Sequence, residues 1–333
     1  ESYITLKQYD KAIKQPITAR FHGAEIEVSA PYISEMVRAE MVKRYGLEEA
    51  YNNGYHVYTS ITSDMQLAAQ NAVTKNLQQY DLRHGYRGPK IHLWNSDDEE
   101  AWHPSDILTH LKSVKEIADL KVGIVTNIFE TSIEVLLKDG QFITVEWDGL
   151  KWARPYINNN RQGKSPKVAL DIVNIGAQIW LKNNNHNQYM LSQIPEASGA
   201  LVSLNPQDGA ILAIMGGYSF QLSQYNRAVQ AKRQVGSNIK PFIYSAAINN
   251  NYTLASIMND AAIHQWDNSQ GIAWRPKNSP DVYDGPIRVR RALAQSKNVI
   301  SVRLLRGVGL NKTADYLLIF GFSPQDIHRN ETL

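Results

Sequence analysis

Arg233-Gln234-Val235-Gly236-Ser237-Asn238-Ile239-Lys240-Pro241-Phe242 leads into a largely apolar run, Ile243 to Ile248. Ser237 and Lys240 form Ser-x-x-Lys at the start of a predicted helix. Residues three apart on a first turn share a face, so the lysine amine can reach the serine hydroxyl. A serine with a built-in base is a nucleophile for acyl transfer. The competing reading makes Ser237 an N-cap and Lys240 a solvated helix residue. Ser-x-x-Lys is a loose pattern, expected about once by chance in a chain of this size. Yet the third helical position favours Glu or Gln, and a lysine there opposes the helix dipole. A neutral Lys240 would remove that conflict, since the helix end and desolvation both lower a lysine pKa. The motif alone leaves both readings open.

Upstream, Gly199 to Leu204 and Ala210 to Met215 read as two apolar strands joined by Asn205-Pro206-Gln207-Asp208-Gly209. They feed Gly216-Gly217-Tyr218 and then the Ser237 helix, an α+β arrangement. Downstream, Gln295-Ser296-Lys297-Asn298-Val299 contains Ser-x-Asn. In acyl-serine chemistry a second hydroxyl relays protons and an asparagine amide holds a substrate carbonyl. Ser203-Leu204-Asn205 also matches, at an expected strand end. Ser296 can equally be an exposed serine between two helical runs.

Residues 1–36 read as a connector, with a short helical pattern ending near Pro16. Glu35 to Tyr45 reads as a helix, Gly54 to Thr62 as a strand, and Ser63 as the cap of a helix through Leu67, Ala68, Ala72 and Val73. A separate unit is expected at 86–160. There Lys121 to Ile128, Ser132 to Leu137 and Gln141 to Trp147 alternate as strands around an Asp139-Gly140 turn, which suggests a small β-barrel. Asn158-Asn159-Asn160 and Gly163-Lys164-Ser165-Pro166 read as a polar linker. Ile172 to Lys182 is a strand or a short helix.

The length fits about two domains. With no cysteine, disulfides, thiol catalysis and cysteine-ligated zinc are excluded. The net charge is only +3 and the basic residues are dispersed, so there is no nucleic-acid signal. Asp97-Asp98-Glu99-Glu100 reads as a solvated acidic run. Trp147, Trp152 and Tyr156 lack a basic stripe, and core packing or a protein contact suits them better. His103, His110, His186 and His264 show no metal-ligand spacing, and Gly216-Gly217 is not a P-loop. No metal and no cofactor are expected. Trp266, Trp274 and Tyr283 are candidates for groove or core packing. No apolar run reaches the length of a membrane span, and Glu1-Ser2-Tyr3-Ile4 is not a signal peptide.

Arg233 to Phe242, Trp274-Arg275-Pro276-Lys277-Asn278-Ser279-Pro280, and Gly285-Pro286-Ile287-Arg288 through Val299 closely resemble class A (bifunctional) penicillin-binding proteins of the Gram-negative 1a type. Ala30 to Arg38 and Tyr80 to Pro89 extend the likeness over nearly the whole chain. It implies an α+β fold: part of a penicillin-binding/β-lactamase-like transpeptidase domain, with a small OB-like β-barrel inserted. The implied divisions are a connector at 1–36, a linker and start of the transpeptidase region at 37–85, the insert at 86–160 and the transpeptidase portion at 161–333.

The resemblance also implies peptidoglycan D,D-transpeptidation. Ser237 would be the nucleophile, Lys240 its base, Ser296 the proton relay and Asn298 the group that orients the acyl donor. The Ser237 backbone N–H would be half of an oxyanion hole. The implied partners are stem peptides (a D-Ala-D-Ala donor and an amine acceptor), β-lactams, and a regulatory protein on the OB-like insert. The implied location is the periplasmic face of the inner membrane, with the anchor outside this chain. The family's Lys-Thr-Gly is missing; Lys312-Thr313-Ala314 comes nearest. On this resemblance the chain is expected to be an internal portion of a longer synthase, stopping partway through the transpeptidase domain. Two alternatives stand beside it: a D,D-carboxypeptidase or β-lactamase-like hydrolase, or a non-catalytic β-lactam or peptidoglycan sensor. No Glu-x-x-Leu-Asn follows Asn298 to mark a class A β-lactamase.

Overall fold

The computed structural model describes residues 4–14, 26–94, 100–184, 188–263 and 275–331. They fall into two units, Glu1–Ala231 and Lys232–Leu333. His186, His264, Trp266, Trp274 and residues 97–99 of the acidic run lie outside the described residues.

In the first unit, α1 (Leu6–Ile13) starts at a Thr5/Gln8 capping box. Helix α2 (Pro31–Tyr45) begins four residues before its expected start, because proline suits the first helical turn, and it stops at Gly46. A short helix, α3 (Leu47–Asn52), follows. The strand expected at Gly54–Thr62 does not form a ladder. The segment has no regular secondary structure and is held by Ser60 Oγ donating to the Ile211 carbonyl and Thr62 N–H donating to the Leu212 carbonyl. One of these two bonds comes from a side-chain hydroxyl, so the segment lacks the run of backbone pairs that a strand requires. Helix α4 (Ser63–His84) has Thr62, not Ser63, at its N-cap. The Ser63 hydroxyl turns instead to the Glu27 carboxylate, 2.7 Å away.

Next come α5 (Pro104–Ser113) and an antiparallel sheet. Strands β1 (Leu120–Ile128), β2 (Ser132–Leu137) and β3 (Phe142–Glu146) follow the expected alternation. Helix α6 (Trp147–Leu150) and a hairpin, β4 (Tyr156–Asn158) with β5 (Arg161–Gln162), come after them. The asparagine run expected as a linker is the turn of that hairpin. Strands β6 (Gln178–Asn183) and β7 (Tyr189–Ser192) complete the sheet in the order β3-β2-β1-β6-β7. The expected boundary at 160 therefore falls inside this architecture. The reason is a long-range pairing, Gly123 opposite Ile179 on β1 and β6, which no local pattern announces. Ile172–Lys182 resolves into β6, preceded by a 3₁₀ turn at Ala169–Asp171.

The edge strands β3 and β7 lie against each other, so the sheet curls back on itself. Val125, Ile133, Val135, Val145, Ile179 and Leu191 fill its inside. Ile107 and Leu111 of α5 cover Val122, Ile124 and Leu136 on the other face. The apolar hairpin β8 (Leu201–Leu204) and β9 (Ile211–Met215) packs on α4.

The second unit holds α7 (Lys240–Asn249), the antiparallel pair β10 (Ile257–Asp260) and β11 (Gly285–Arg288), then α8 (Val289–Ala294), α9 (Asn298–Val308) and α10 (Leu310–Leu318). Ile243, Tyr244, Ala247, Ile300, Leu304 and Leu305 form the seam where α7 meets α9. That seam sets the relative placement of the two helix starts, which carry the side chains described next.

Candidate active site

The α-helix proper begins at Lys240. Ser237 sits in a 3₁₀ turn, Gly236–Ile239, that runs straight into it. Residues i and i+3 eclipse in a 3₁₀ turn, so Ser237 and Lys240 project to the same side. Ser237 is exposed, whereas Lys240 is 6% exposed. The N-cap positions are Val235 for the 3₁₀ turn and Ile239 for the helix, so Ser237 stands at neither, and its hydroxyl meets Ser296 instead.

Ser296 lies on the turn between α8 and α9, at φ +52°. Its N–H donates to the Leu293 carbonyl (3.0 Å), and the Lys297 N–H donates to the Ala292 carbonyl (2.9 Å). These two bonds are a Schellman closure of α8, and Ser296 occupies the left-handed position that glycine normally takes. The turn then starts α9 at Asn298.

The structure brings all four expected side chains together. Lys240 Nζ donates to Ser296 Oγ (2.9 Å), to the Ser296 carbonyl (2.5 Å) and to Asn298 Oδ1 (2.6 Å). Ser296 Oγ lies 3.2 Å from Ser237 Oγ, within hydrogen-bonding distance. Among the hydrogen bonds of the described residues, none joins Lys240 to Ser237 directly. The direct contact expected from the spacing is thus replaced by a contact through Ser296. The physical reason is that the lysine amine sinks toward three acceptors on the α8–α9 turn. Burial holds the Lys240 pKa below the ordinary 10.5. Asn298 Nδ2 donates to the Lys277 carbonyl (2.8 Å), which fixes the amide with its oxygen toward Lys240.

Sequence reasoning passed over the residue between them. Lys297 is 8% exposed. Its amine meets Asp260 Oδ2 at 2.8 Å, Asp284 Oδ2 at 3.0 Å and the Val282 carbonyl at 3.1 Å. The Asp260 hydrogen bond, reinforced by Asp284 against the opposing effect of burial, holds the Lys297 pKa above its ordinary value. Burial pushes Asp260 upward, but hydrogen bonds from Lys297, Asn278 and the Asp284 backbone outweigh it and leave the carboxyl below its ordinary range. The one available signal was a lysine at a helix N-cap, a position that favours Ser, Asp or Asn.

Residues 86–197 match the penicillin-binding protein OB-like domain, and residues 199–331 match the penicillin binding protein transpeptidase domain. These matches, with the whole-chain relatives, show that the chain belongs to the penicillin-binding protein family, in its 1A group. Penicillin-binding protein 1A of Vibrio cholerae is 47% identical over 100% of this chain and 41% of its own length. That of Escherichia coli K12 is also 47% identical, over 100% of this chain and 39% of its own length. The crystal structure of penicillin-binding protein 1A from Haemophilus influenzae superposes with a TM-score of 0.82 at 41% identity, covering 99% of this chain and 46% of that one. The chain therefore spans about 40% of the length of the curated relatives it matches. The family and the α+β fold with an OB-like part are as the sequence led us to expect.

Proposed function

We propose that this chain carries the acyl-serine centre of a peptidoglycan D,D-transpeptidase within a bifunctional cell-wall synthase. The observation that supports it is the continuous contact from Ser237 Oγ through Ser296 Oγ to Lys240 Nζ, with Asn298 beside the amine. As an ammonium, Lys240 has an acceptor for each of its three protons. As a neutral amine it keeps two of these and has a lone pair to place. Of its three neighbours only the Ser296 hydroxyl can donate to it. The lone pair therefore faces the Ser296 hydroxyl, and the bond in which Ser296 donates to Ser237 reverses, so that the Ser296 oxygen accepts from Ser237.

On this reading Ser237 Oγ bonds to the penultimate D-Ala carbonyl carbon. Its proton moves to Ser296 while the Ser296 proton moves to Lys240. The bond to the terminal D-Ala nitrogen breaks, and the Lys240 proton returns through Ser296 to that amine. An amine of a second stem peptide then attacks the ester and gives its proton to the same base; the bond to Ser237 Oγ breaks, and that proton passes through Ser296 to the departing Ser237 oxygen, which restores the serine and the neutral amine. A positioned base of this kind contributes ~10²–10⁴ in rate. The Ser237 N–H supplies one oxyanion donor, and Asn298 orients the donor peptide. β-Lactams enter the same chemistry and stay as esters on Ser237.

The same reading puts the protein at the periplasmic face of the inner membrane, where peptidoglycan is cross-linked, and assigns a regulatory protein contact to the OB-like sheet. Among the described residues no helix is long and apolar enough to cross a membrane. The test is labelling of the whole natural protein with a fluorescent penicillin, with the adduct mapped by mass spectrometry. Label is expected on Ser237 and is expected to vanish in Ser237→Ala. Label persisting in that variant, or absent from the unaltered protein, overturns the proposal.

A further inference from the structure

The turn that carries Ser296 and Asn298 breaks two local rules in succession. Ser296 takes the left-handed residue of the α8 closure, where glycine is favoured. Lys297 is the N-cap of α9, where it has no acceptor to offer and meets the positive end of the helix. Isolated, this stretch would favour another conformation. Strain of this sort persists only where the surroundings over-determine it.

The surroundings are a closed polar cluster on the inner side of the turn. Asp260, at the end of β10, is fully buried. Its Oδ2 accepts from Lys297 Nζ and from the Asp284 N–H (3.0 Å), and its Oδ1 accepts from Asn278 Nδ2 (2.8 Å). Asn278 Nδ2 also reaches the Val282 carbonyl at 2.9 Å. Asn278 Oδ1 accepts from the Val299 N–H (3.2 Å), so this amide does the capping that Lys297 cannot. The neighbouring Lys277 carbonyl holds Asn298 Nδ2. All three protons of the Lys297 ammonium have acceptors, and none points toward Lys240 or Ser237. Ser296 and Asn298 face Lys240, while the residue between them is drawn the opposite way.

We propose that Lys297, pinned by Asp260 and Asp284, is a positioning residue for the acyl transfer: it sets the turn so that Ser296 Oγ stands between Lys240 and Ser237. This rests on the acyl-serine reading above. Lys297 touches no reacting atom, so its removal acts on the placement of the relay. A misplacement of about 1 Å costs ~10²-fold in rate.

The whole natural protein is used for the test, with fluorescent penicillin at rising concentration, so that the saturation constant and the limiting acylation rate are read separately. Because Lys297→Met alone strands a buried carboxylate, the variant is the paired Lys297→Met/Asp260→Asn. Its limiting rate is expected to fall roughly a hundredfold, with the saturation constant little changed and a cooperative thermal transition retained. A folded double variant that acylates at the unaltered protein's rate overturns the proposal. If the double variant does not fold, Asp284→Asn, which leaves the Asp260 pair intact on a partly exposed side chain, carries the decision. A drop of about fivefold in limiting rate is expected, and an unchanged rate overturns the proposal. Absence of label on the unaltered protein would instead strike the acyl-serine reading itself, so the two failures are distinct.

Discussion

Ser296 meets two demands with one residue: a hydroxyl between Ser237 and Lys240, and a backbone at φ +52°. A side chain at that φ costs about 1 kcal/mol relative to glycine. Ser296→Gly and Ser296→Ala both remove the hydroxyl, yet only glycine relieves the backbone. Urea denaturation should find Ser296→Gly about 1 kcal/mol more stable than Ser296→Ala, while penicillin labelling slows ~10²-fold or more in both. Equal stability would refute the strain argument. On the proposed mechanism Lys240 works as the neutral amine, and burial has lowered its pKa below 10.5. The acylation rate should therefore climb with pH and level off before pH 10.5. A profile still rising beyond that point would mean the base is not this buried amine. Protonated Lys240 also costs stability below its folded pKa, and that cost is relieved as pH rises toward 10.5. The Ser237–Lys240 pairing was legible because a separation of three is a local geometric fact. The placement of Ser296 between them was not, because Ser296 lies 56 residues from Lys240.

At the level of elements, alternation and turn residues located most of the curled sheet, since a strand with one buried face writes a period of two into its sequence. Two features escaped. One is the entry of β6 beside β1, a pairing settled by where the chain returns. The other is the treatment of the β9 edge. Gln66 of α4 is 1% exposed. Its Nε2 donates to the Ile214 carbonyl and its Oε1 accepts from the Ile214 N–H, each at 2.9 Å. One side chain thus completes both backbone groups of an edge residue that would otherwise be buried without partners. Gln66→Leu keeps the volume and removes both bonds, which should cost about 2 kcal/mol or more. Hydrogen exchange is the suitable measurement, since it reads the β9 amides locally. Faster exchange at Ile214 is expected, and unaltered protection there would show that the amide is dispensable. A glutamine on a helix gives no sequence signal for this role.

For the whole molecule, the family's two domain regions meet at 197 and 199, while the two units divide after Ala231. The β8–β9 hairpin belongs to the transpeptidase region by sequence, yet its packing on α4 groups it with the first unit. The chain has no cysteine, so neither its stability nor the chemistry proposed for Ser237 draws on a thiol of its own. Penicillin labelling and the melting temperature should be unchanged by reductant or by iodoacetamide, and loss of labelling after alkylation would point to a different nucleophile. The sequence by itself determined the family, the fold class, most helices and strands, and the four side chains of the candidate site, because local period, spacing and motif are properties of neighbouring residues. Tertiary structure alone decided that Lys240 meets Ser237 through Ser296, that Lys297 is buried against Asp260 and Asp284, and that the sheet continues past residue 160. Each of these depends on segments far apart in the chain being folded against one another, and no local pattern records where a distant segment will come to rest.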